Sequence, residues 1–264
     1  MAHAALDSAL ANGGRAFGGW ITQNWEAAVG AFDRAGYDFV GFDCQHGTLS
    51  ETDAAHLVRR MGNARPATIV RVSSNSLMSI GKVLDAGADG VIVPLVNNAD
   101  EARAAVAACV YPPDGLRSFG PNRPGLPFTT AELGGRVSCF VMIETLEGLA
   151  NADEICAVPG VAGIVIGPAD LSISLGMDPL KGFASEQIFE SLAQVRAACE
   201  KHGIVLGIFA GAAASVAKWT GQGARLLICG SDMGLLGQSA AADNALARSE
   251  AVPAAAAAAT PYAN

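Results

Sequence analysis

The chain has 264 residues, 51% of them hydrophobic and 16% charged, with a formal net charge of −8. That length and apolar share support one large core, in the size range of an α/β barrel. The acidic balance, with no Lys/Arg cluster beyond Arg59-Arg60, argues against nucleic acid or an anionic membrane surface as a partner. No apolar run reaches the roughly 18 residues that a membrane span needs.

Short β-rich runs alternate with amphipathic helical segments. Strands are expected at 16–22, 39–43, 68–72, 90–95, 138–143, 163–167, 205–209 and 226–229. Helical segments are expected between them, among others at 51–61, 77–86, 99–109, 146–157, 186–202 and 212–221, with a last helix over 233–248. Eight strands, each followed by a helix, predict an α/β fold, a single-domain (β/α)8 TIM barrel over residues 1–250. A doubly wound open sheet is the competing fold. It usually carries a glycine-rich phosphate turn after its first strand, and Gly18-Gly19-Trp20 is no such turn.

Residues 111–130 form the longest irregular stretch, and loops of that length are often functional. Arg117, Phe119, Arg123 and Phe128 within it are candidate contacts for a substrate. Residues 251–264 read as a loose, low-complexity tail. The six cysteines lie inside apolar segments without metal-ligand spacing and read as reduced core thiols. The first residues lack the basic and continuously apolar regions of a signal peptide, so a cytoplasmic location is expected.

A barrel of this kind carries its chemistry at the C-terminal ends of its strands. Strand two ends in Asp43-Cys44-Gln45-His46-Gly47, strand three in Arg71 and strand five in Glu144. Strand six turns at Gly167-Pro168 and leads through Ala169 to Asp170. Two bare carboxylates at strand ends, with no thiolate or imidazole beside them, form a hard-oxygen environment suited to Mg²⁺ or Mn²⁺. Two protein ligands leave room for a 2-oxo acid to chelate through its keto and carboxylate oxygens. Backbone N–H groups around Ala169 and Asp170 can take the other carboxylate oxygen. The cation would act as a Lewis acid and hold the enolate that forms. Arg71 would neutralise the same charge, and His46, with an ordinary pKa of about 6.5, can exchange a proton near neutral pH. Phe209, at the end of strand seven, is a candidate wall of the acceptor pocket. None of the four lysines lies in an apolar strand, which argues against Schiff-base chemistry. No Gly-x-Ser-x-Gly elbow supports a serine hydrolase.

The motif Asp43-Cys44-Gln45-His46-Gly47, Arg71, the Leu84-Asp85-Ala86-Gly87-Ala88 run, Tyr111-Pro112-Pro113-x-Gly115-x-Arg117-x-x-Gly120, Ile143-Glu144 and Ile166-Gly167-Pro168-Ala169-Asp170-Leu171-Ser172 resemble the HpcH/HpaI aldolase family. The resemblance runs from about Trp20 to Asp232. It implies a class II pyruvate aldolase that uses a divalent cation (Mg²⁺, Mn²⁺ or Co²⁺) to cleave 4-hydroxy-2-oxo acids reversibly. The products would be pyruvate or hydroxypyruvate plus an aldehyde. It makes Glu144 and Asp170 the metal ligands, His46 the proton acceptor and Arg71 the transition-state stabiliser. Ala169 would bind substrate through its backbone, and Asp85 would raise the basicity of His46. The resemblance further implies a homo-oligomer, a hexamer, to which the apolar composition and the Ala-rich segment 239–247 are suited. Two positions depart from the family pattern. Met142 stands where many members place a substrate-contacting Gln, and Gln45 stands where a carboxylate often precedes the histidine. A CoA-ester lyase of the citrate-lyase-β or malyl-CoA type, and an inactive barrel serving as a binding protein, are the alternative readings.

Overall fold

The computed structural model describes residues 4–61, 66–182 and 185–250. Eight parallel strands close into one barrel in sequence order. They are β1 (Ala16–Ile21), β2 (Phe39–Asp43), β3 (Ala67–Arg71), β4 (Gly90–Val93), β5 (Ser138–Ile143), β6 (Val161–Ile166), β7 (Val205–Phe209) and β8 (Leu226–Ser231). The strands are buried on both faces, because helices cover the outside and side chains fill the inside. That is why they read as continuous apolar runs such as Val91-Ile92-Val93, all fully buried.

Helix starts are set locally. Ser50 caps the helix Glu51–Arg60 in a reciprocal box with Asp53, and Ser76, Asn98 and Ser185 each accept a backbone N–H from three residues on. Two expected helices differ from the sequence pattern. The segment expected at 146–157 is two short helices, Leu146–Ala150 and Ala152–Cys156, which share Asn151 as C-cap and N-cap. The segment expected at 212–221 opens as a 3₁₀ turn, Ala213–Ser215, before the helix Val216–Gly221. Further helices appear at Ala4–Leu10, Glu26–Arg34, Thr130–Gly134 and Pro179–Gly182, where apolar periodicity is short. The tail expected over 251–264 lies outside the described residues.

The barrel interior is a cluster that includes Trp20, Phe39, Ile69, Ile92, Phe140, Met142, Val165, Leu226 and Ile228. Large rings fit because glycines face them on neighbouring strands. A Cβ on Gly18 would sit 2.1 Å from the Phe39 ring, and one on Gly41 would sit 2.1 Å from the Trp20 ring. Gly41 therefore fixes where the Trp20 indole lies at the top of the interior.

The long loop 111–128 lies toward the N-terminal end of the strands, opposite the catalytic end, where its residues bond to Asp85, Gly87, Ala107 and Val110. It packs under the C-terminus of the helix Leu77–Asp85, which descends from β3 to the start of β4. Asn122 N–H donates to the Asp85 carbonyl at 2.9 Å. Arg117, 2% exposed, donates to the Asp85 carboxylate at 3.1 Å and lies over the Tyr111 ring at 4.6 Å. Arg123 is also buried and donates to the Gly87 carbonyl. Phe119 and Phe128 are exposed and meet edge to face. Within one chain Arg117, Phe119, Arg123 and Phe128 do not line the cavity, because the loop precedes β5 and stays at its N-terminal end; they can meet substrate only in a neighbouring subunit's site.

No helix among the described residues is long and apolar enough to cross a membrane. None of the six cysteines is in a disulfide. The last helix, Asp232–Glu250, is exposed along its length from Met233 to Ser249.

The interior packing gives the first test. Gly41→Ala should destabilise the barrel by about 1–3 kcal/mol in urea unfolding, because the added methyl must displace the Trp20 ring. An unchanged unfolding midpoint would show that the ring has slack.

Candidate active site

A cavity of about 300 Å³ opens at the C-terminal end of the strands, lined by residues of seven of the eight strand ends and the turns that follow. Of the residues singled out in the sequence, His46, Arg71, Gly167, Pro168, Ala169, Asp170 and Phe209 line it. Glu144 is buried just behind Gly167. Asp85 is not there. It ends a descending helix at the opposite end and pairs with Arg117, so no contact between Asp85 and His46 exists within one chain.

The carboxylate of Glu144 is 1% exposed. Its Oε1 accepts the Leu95 N–H at 2.8 Å. Leu95 has φ 56°, in the left-handed region that a branched side chain rarely takes, so the turn after β4 adopts an unfavourable backbone as it presents that donor. The other oxygen, Oε2, is buried without a hydrogen-bond partner. A Cβ on Gly167 would sit 2.4 Å from Oε2 and 3.1 Å from the Met142 methyl, so only glycine leaves this oxygen open toward the turn. Burial is the largest influence on Glu144 and holds its pKa above the ordinary carboxylate value. The Leu95 N–H and Arg71 oppose that shift, and the charge of Asp170 adds to it.

Asp170 lies in the first turn of the short helix Pro168–Ser174. Proline at the first position suits a helix start, since its missing N–H has no partner there anyway. Gly167, the N-cap, has no side chain to accept a hydrogen bond. The N–H groups of Ala169 and Asp170 are therefore left to water or a ligand.

Across the cavity, Asp43 organises the other wall. It is 2% exposed. Arg71 Nε donates to its Oδ1 at 2.9 Å and Arg71 Nη2 to its Oδ2 at 2.5 Å. Oδ2 also accepts the Trp20 indole N–H at 3.2 Å, and Oδ1 accepts the backbone N–H groups of Gln45 and His46 at 3.0 and 3.2 Å. Burial works to raise its pKa, but the Arg71 hydrogen bonds and charge, with the two backbone donors, hold it below the ordinary value. One carboxylate thus fixes the guanidinium and the turn that carries His46. The His46 side chain is exposed at the rim. Gln45 accepts no such role: it is half-buried and its Oε1 has no partner.

A second buried acid, Asp232, fastens β8 to the loop after β1. It accepts the Thr22 N–H and hydroxyl, the Gln23 N–H and the Trp25 indole N–H at 2.7–3.1 Å. Asp43 was visible in the sequence only as a strand-end acid, and Asp232 and the Leu95 N–H carried no sequence signal of a role.

Other nucleophiles are poorly placed. All four lysines are exposed and outside the cavity. Burial, then nearby acids, push the Cys44 thiol up to about 12, so no thiolate is present at neutral pH.

Among the described residues no group of three or more His, Cys, Asp or Glu side chains is arranged to hold a metal ion. Glu144 and Asp170 form a pair, repelling each other, with one buried oxygen unpartnered. Two hard oxygens with open surroundings fit a small hard dication that keeps water or substrate oxygens in its shell.

Residues 17–239 match the family model described as HpcH/HpaI aldolase/citrate lyase. The chain is 36% identical to the hydroxypyruvate/pyruvate aldolase of Rhizorhabdus wittichii over 91% of its own length and 97% of that protein. It is 34% identical to the 2-dehydro-3,6-dideoxy-6-sulfogluconate aldolase of Pseudomonas putida, over 83% and 87% of the two chains. Among solved structures, an HpcH/HpaI aldolase/citrate lyase family protein from Burkholderia cenocepacia J2315 superposes with a TM-score of 0.86 at 26% identity, covering 93% of this chain and 99% of that one. These relatives are aldolases by name, and the family model reaches from β1 to beyond β8. The chain belongs to the HpcH/HpaI aldolase/citrate lyase family.

Proposed function

We propose that the chain is a divalent-cation-dependent aldolase that reversibly cleaves 4-hydroxy-2-oxo acids to pyruvate, or hydroxypyruvate, and an aldehyde. The observation that carries this reading is the buried oxygen of Glu144, unpartnered near the charge of Asp170 and set against Gly167, where a Cβ would collide with it. The names of the relatives support the same chemistry.

Glu144 and Asp170 would hold the cation, Mg²⁺, Mn²⁺ or Co²⁺. When bound it supplies Lewis acidity, drawing electrons from the 2-oxo carbonyl. The N–H groups of Ala169 and Asp170 receive the donor carboxylate. His46, at the rim, takes the proton of the C4 hydroxyl as general base. The C3–C4 bond then breaks, the C4 carbon leaves as aldehyde and the bonding pair becomes the enolate of the 2-oxo acid. Arg71 meets that developing negative charge. Asp43 takes one N–H from Nε and one from Nη2, so the Nη1 hydrogens and the second Nη2 hydrogen are left to donate, and the guanidinium is held in place before the charge forms. Protonation of the enolate at C3 releases pyruvate, and the reverse sequence condenses it with an aldehyde.

We also propose that the protein works as a homo-oligomer. A 19-residue helix with Met233, Leu235, Leu236 and Leu246 each 40–62% exposed has little packing to stabilise it in one chain. Asp85 can influence His46 only if another copy brings it there.

The reading is tested by chelation. Excess EDTA should abolish cleavage, Mg²⁺, Mn²⁺ or Co²⁺ should restore it, and borohydride with pyruvate should trap no lysine adduct. A stable adduct, or full activity after chelation, would refute it. Glu144→Gln should raise the melting temperature of the metal-free protein at neutral pH. The wild-type folded state binds the Glu144 proton more tightly than the unfolded state, so it loses stability as pH rises through the raised pKa, and a neutral amide escapes that loss. The difference should vanish on acidification, and the variant should lose any Mg²⁺-induced gain. Arg71→Ala should lower turnover about 100-fold or more. It should also destabilise the protein by about 3 kcal/mol in urea titration, since buried Asp43 loses its counter-charge.

A further inference from the structure

Leu95 donates its N–H to Glu144 Oε1 at 2.8 Å from a backbone with φ 56°. A branched residue in the left-handed region persists only where its surroundings hold it there. The Leu95 side chain supplies no such hold, since it is 51% exposed. The restraint comes from the residue two positions on.

The backbone and side-chain polar atoms of Asn97 are all engaged. Its N–H donates to Glu101 Oε2 at 2.7 Å, and its carbonyl accepts the Asn151 side-chain amide at 2.8 Å. Its Nδ2 donates to the Leu95 carbonyl at 3.1 Å, and its Oδ1 accepts the Thr145 hydroxyl. A carbonyl can only accept, so the Leu95 contact assigns Nδ2 to that side and leaves Oδ1 for Thr145. The Thr145 oxygen in turn accepts the Gly148 N–H at 3.0 Å, and its proton is free for Asn97.

Thr145 is the residue after Glu144. The contacts therefore close a ring. Glu144 accepts from the Leu95 N–H, the Leu95 carbonyl accepts from Asn97, Asn97 accepts from Thr145, and one peptide bond returns to Glu144. The Val96 N–H adds a second tie between the same strand ends, donating to the Met142 carbonyl at 3.1 Å. All of these contacts lie within one chain. Neither Asn97 nor Thr145 lines the cavity, so both act on the site through Leu95 and Glu144.

We propose that Asn97, fastened by Thr145, is a positioning residue for the cation site. It holds Leu95 in its left-handed turn, so that the Leu95 N–H pins Glu144 Oε1 and Oε2 stays aimed at the cation. The proposal rests on the reading of Glu144 and Asp170 as cation ligands. Without the pin the carboxylate can turn, and Oε2 spends only part of its time where a cation shared with Asp170 needs it. Residues that orient a metal ligand in this way contribute about tenfold or more in affinity.

The experiment uses the full-length, metal-free protein and reads two quantities. Mn²⁺ affinity is read by electron paramagnetic resonance. Exchange of the Leu95 amide is read by hydrogen–deuterium exchange mass spectrometry on a peptide spanning residues 92–98. Asn97→Ala should bind one Mn²⁺ per chain about tenfold more weakly. Without metal it should exchange the Leu95 amide about tenfold faster. Thr145→Val should move both readouts the same way, and Thr145→Ser, which keeps the hydroxyl, should restore the wild-type values. A merely structural role would lower the melting temperature and leave the Mn²⁺ affinity of the folded protein unchanged. If the wild-type protein binds no Mn²⁺, the cation reading fails and this proposal with it. If the wild type binds Mn²⁺ but Asn97→Ala keeps the same affinity, or the same exchange at Leu95, the proposal is overturned while the cation reading stands. Should Asn97→Ala not fold, the Thr145 pair decides, and equal affinity in Thr145→Val and Thr145→Ser overturns it as well.

Discussion

A carboxylate at 1% exposure with one oxygen unpartnered is the constraint around which the catalytic end is arranged. Burying an ionised group without full hydrogen bonding costs several kcal/mol, and a like charge nearby adds to it. Several features converge on keeping Glu144 in that position. Leu95 adopts a left-handed backbone and offers one N–H to Oε1. Gly167 lies against Oε2, where a Cβ would sit 2.4 Å away. Asp170 is set beside it on a helix that begins with proline. A fold selected for stability alone would place a methionine or leucine here, as it does with Met142 two residues earlier. The arrangement makes sense if positive charge arrives from outside the chain.

Asp43 shows the opposite solution to the same cost. It too is buried, but two nitrogens of Arg71, the Trp20 indole and two backbone N–H groups satisfy it. One side chain thereby sets the positions of groups on β1, β2, β3 and the His46 turn. Asp232 does the same for the seam between β8 and β1. One consequence is that the Trp20 indole N–H and the Thr22 hydroxyl, which line the cavity from β1, are engaged in these networks.

The fold was legible because its two periodicities are clean. Apolar runs such as Phe39–Asp43, Ser138–Ile143 and Val205–Phe209 match the observed strands at both ends. The split at Asn151 was not legible, since two short helices in line keep one amphipathic pattern. In the site, residues at strand ends were found because barrel geometry gathers them whatever their spacing in sequence. Asp85 and the loop arginines lie away from the cavity of their own chain for the complementary reason: a helix returning to the start of the next strand carries its C-terminus, and the loop packed on it, away from the strands' C-terminal ends. The importance of Asp43 and Asp232 lay in tertiary hydrogen bonds across about 30 and 210 residues, which no local pattern encodes.

The central claim is that Glu144 and Asp170 together bind a divalent cation that the 2-oxo acid shares. Titration of the metal-free protein with Mn²⁺, reading free Mn²⁺ by electron paramagnetic resonance with and without pyruvate, tests it most directly. The account predicts one cation per chain, tighter binding when pyruvate is present, and loss of the site in both Glu144→Gln and Asp170→Asn. Retention of the same stoichiometry and affinity in either variant would contradict it.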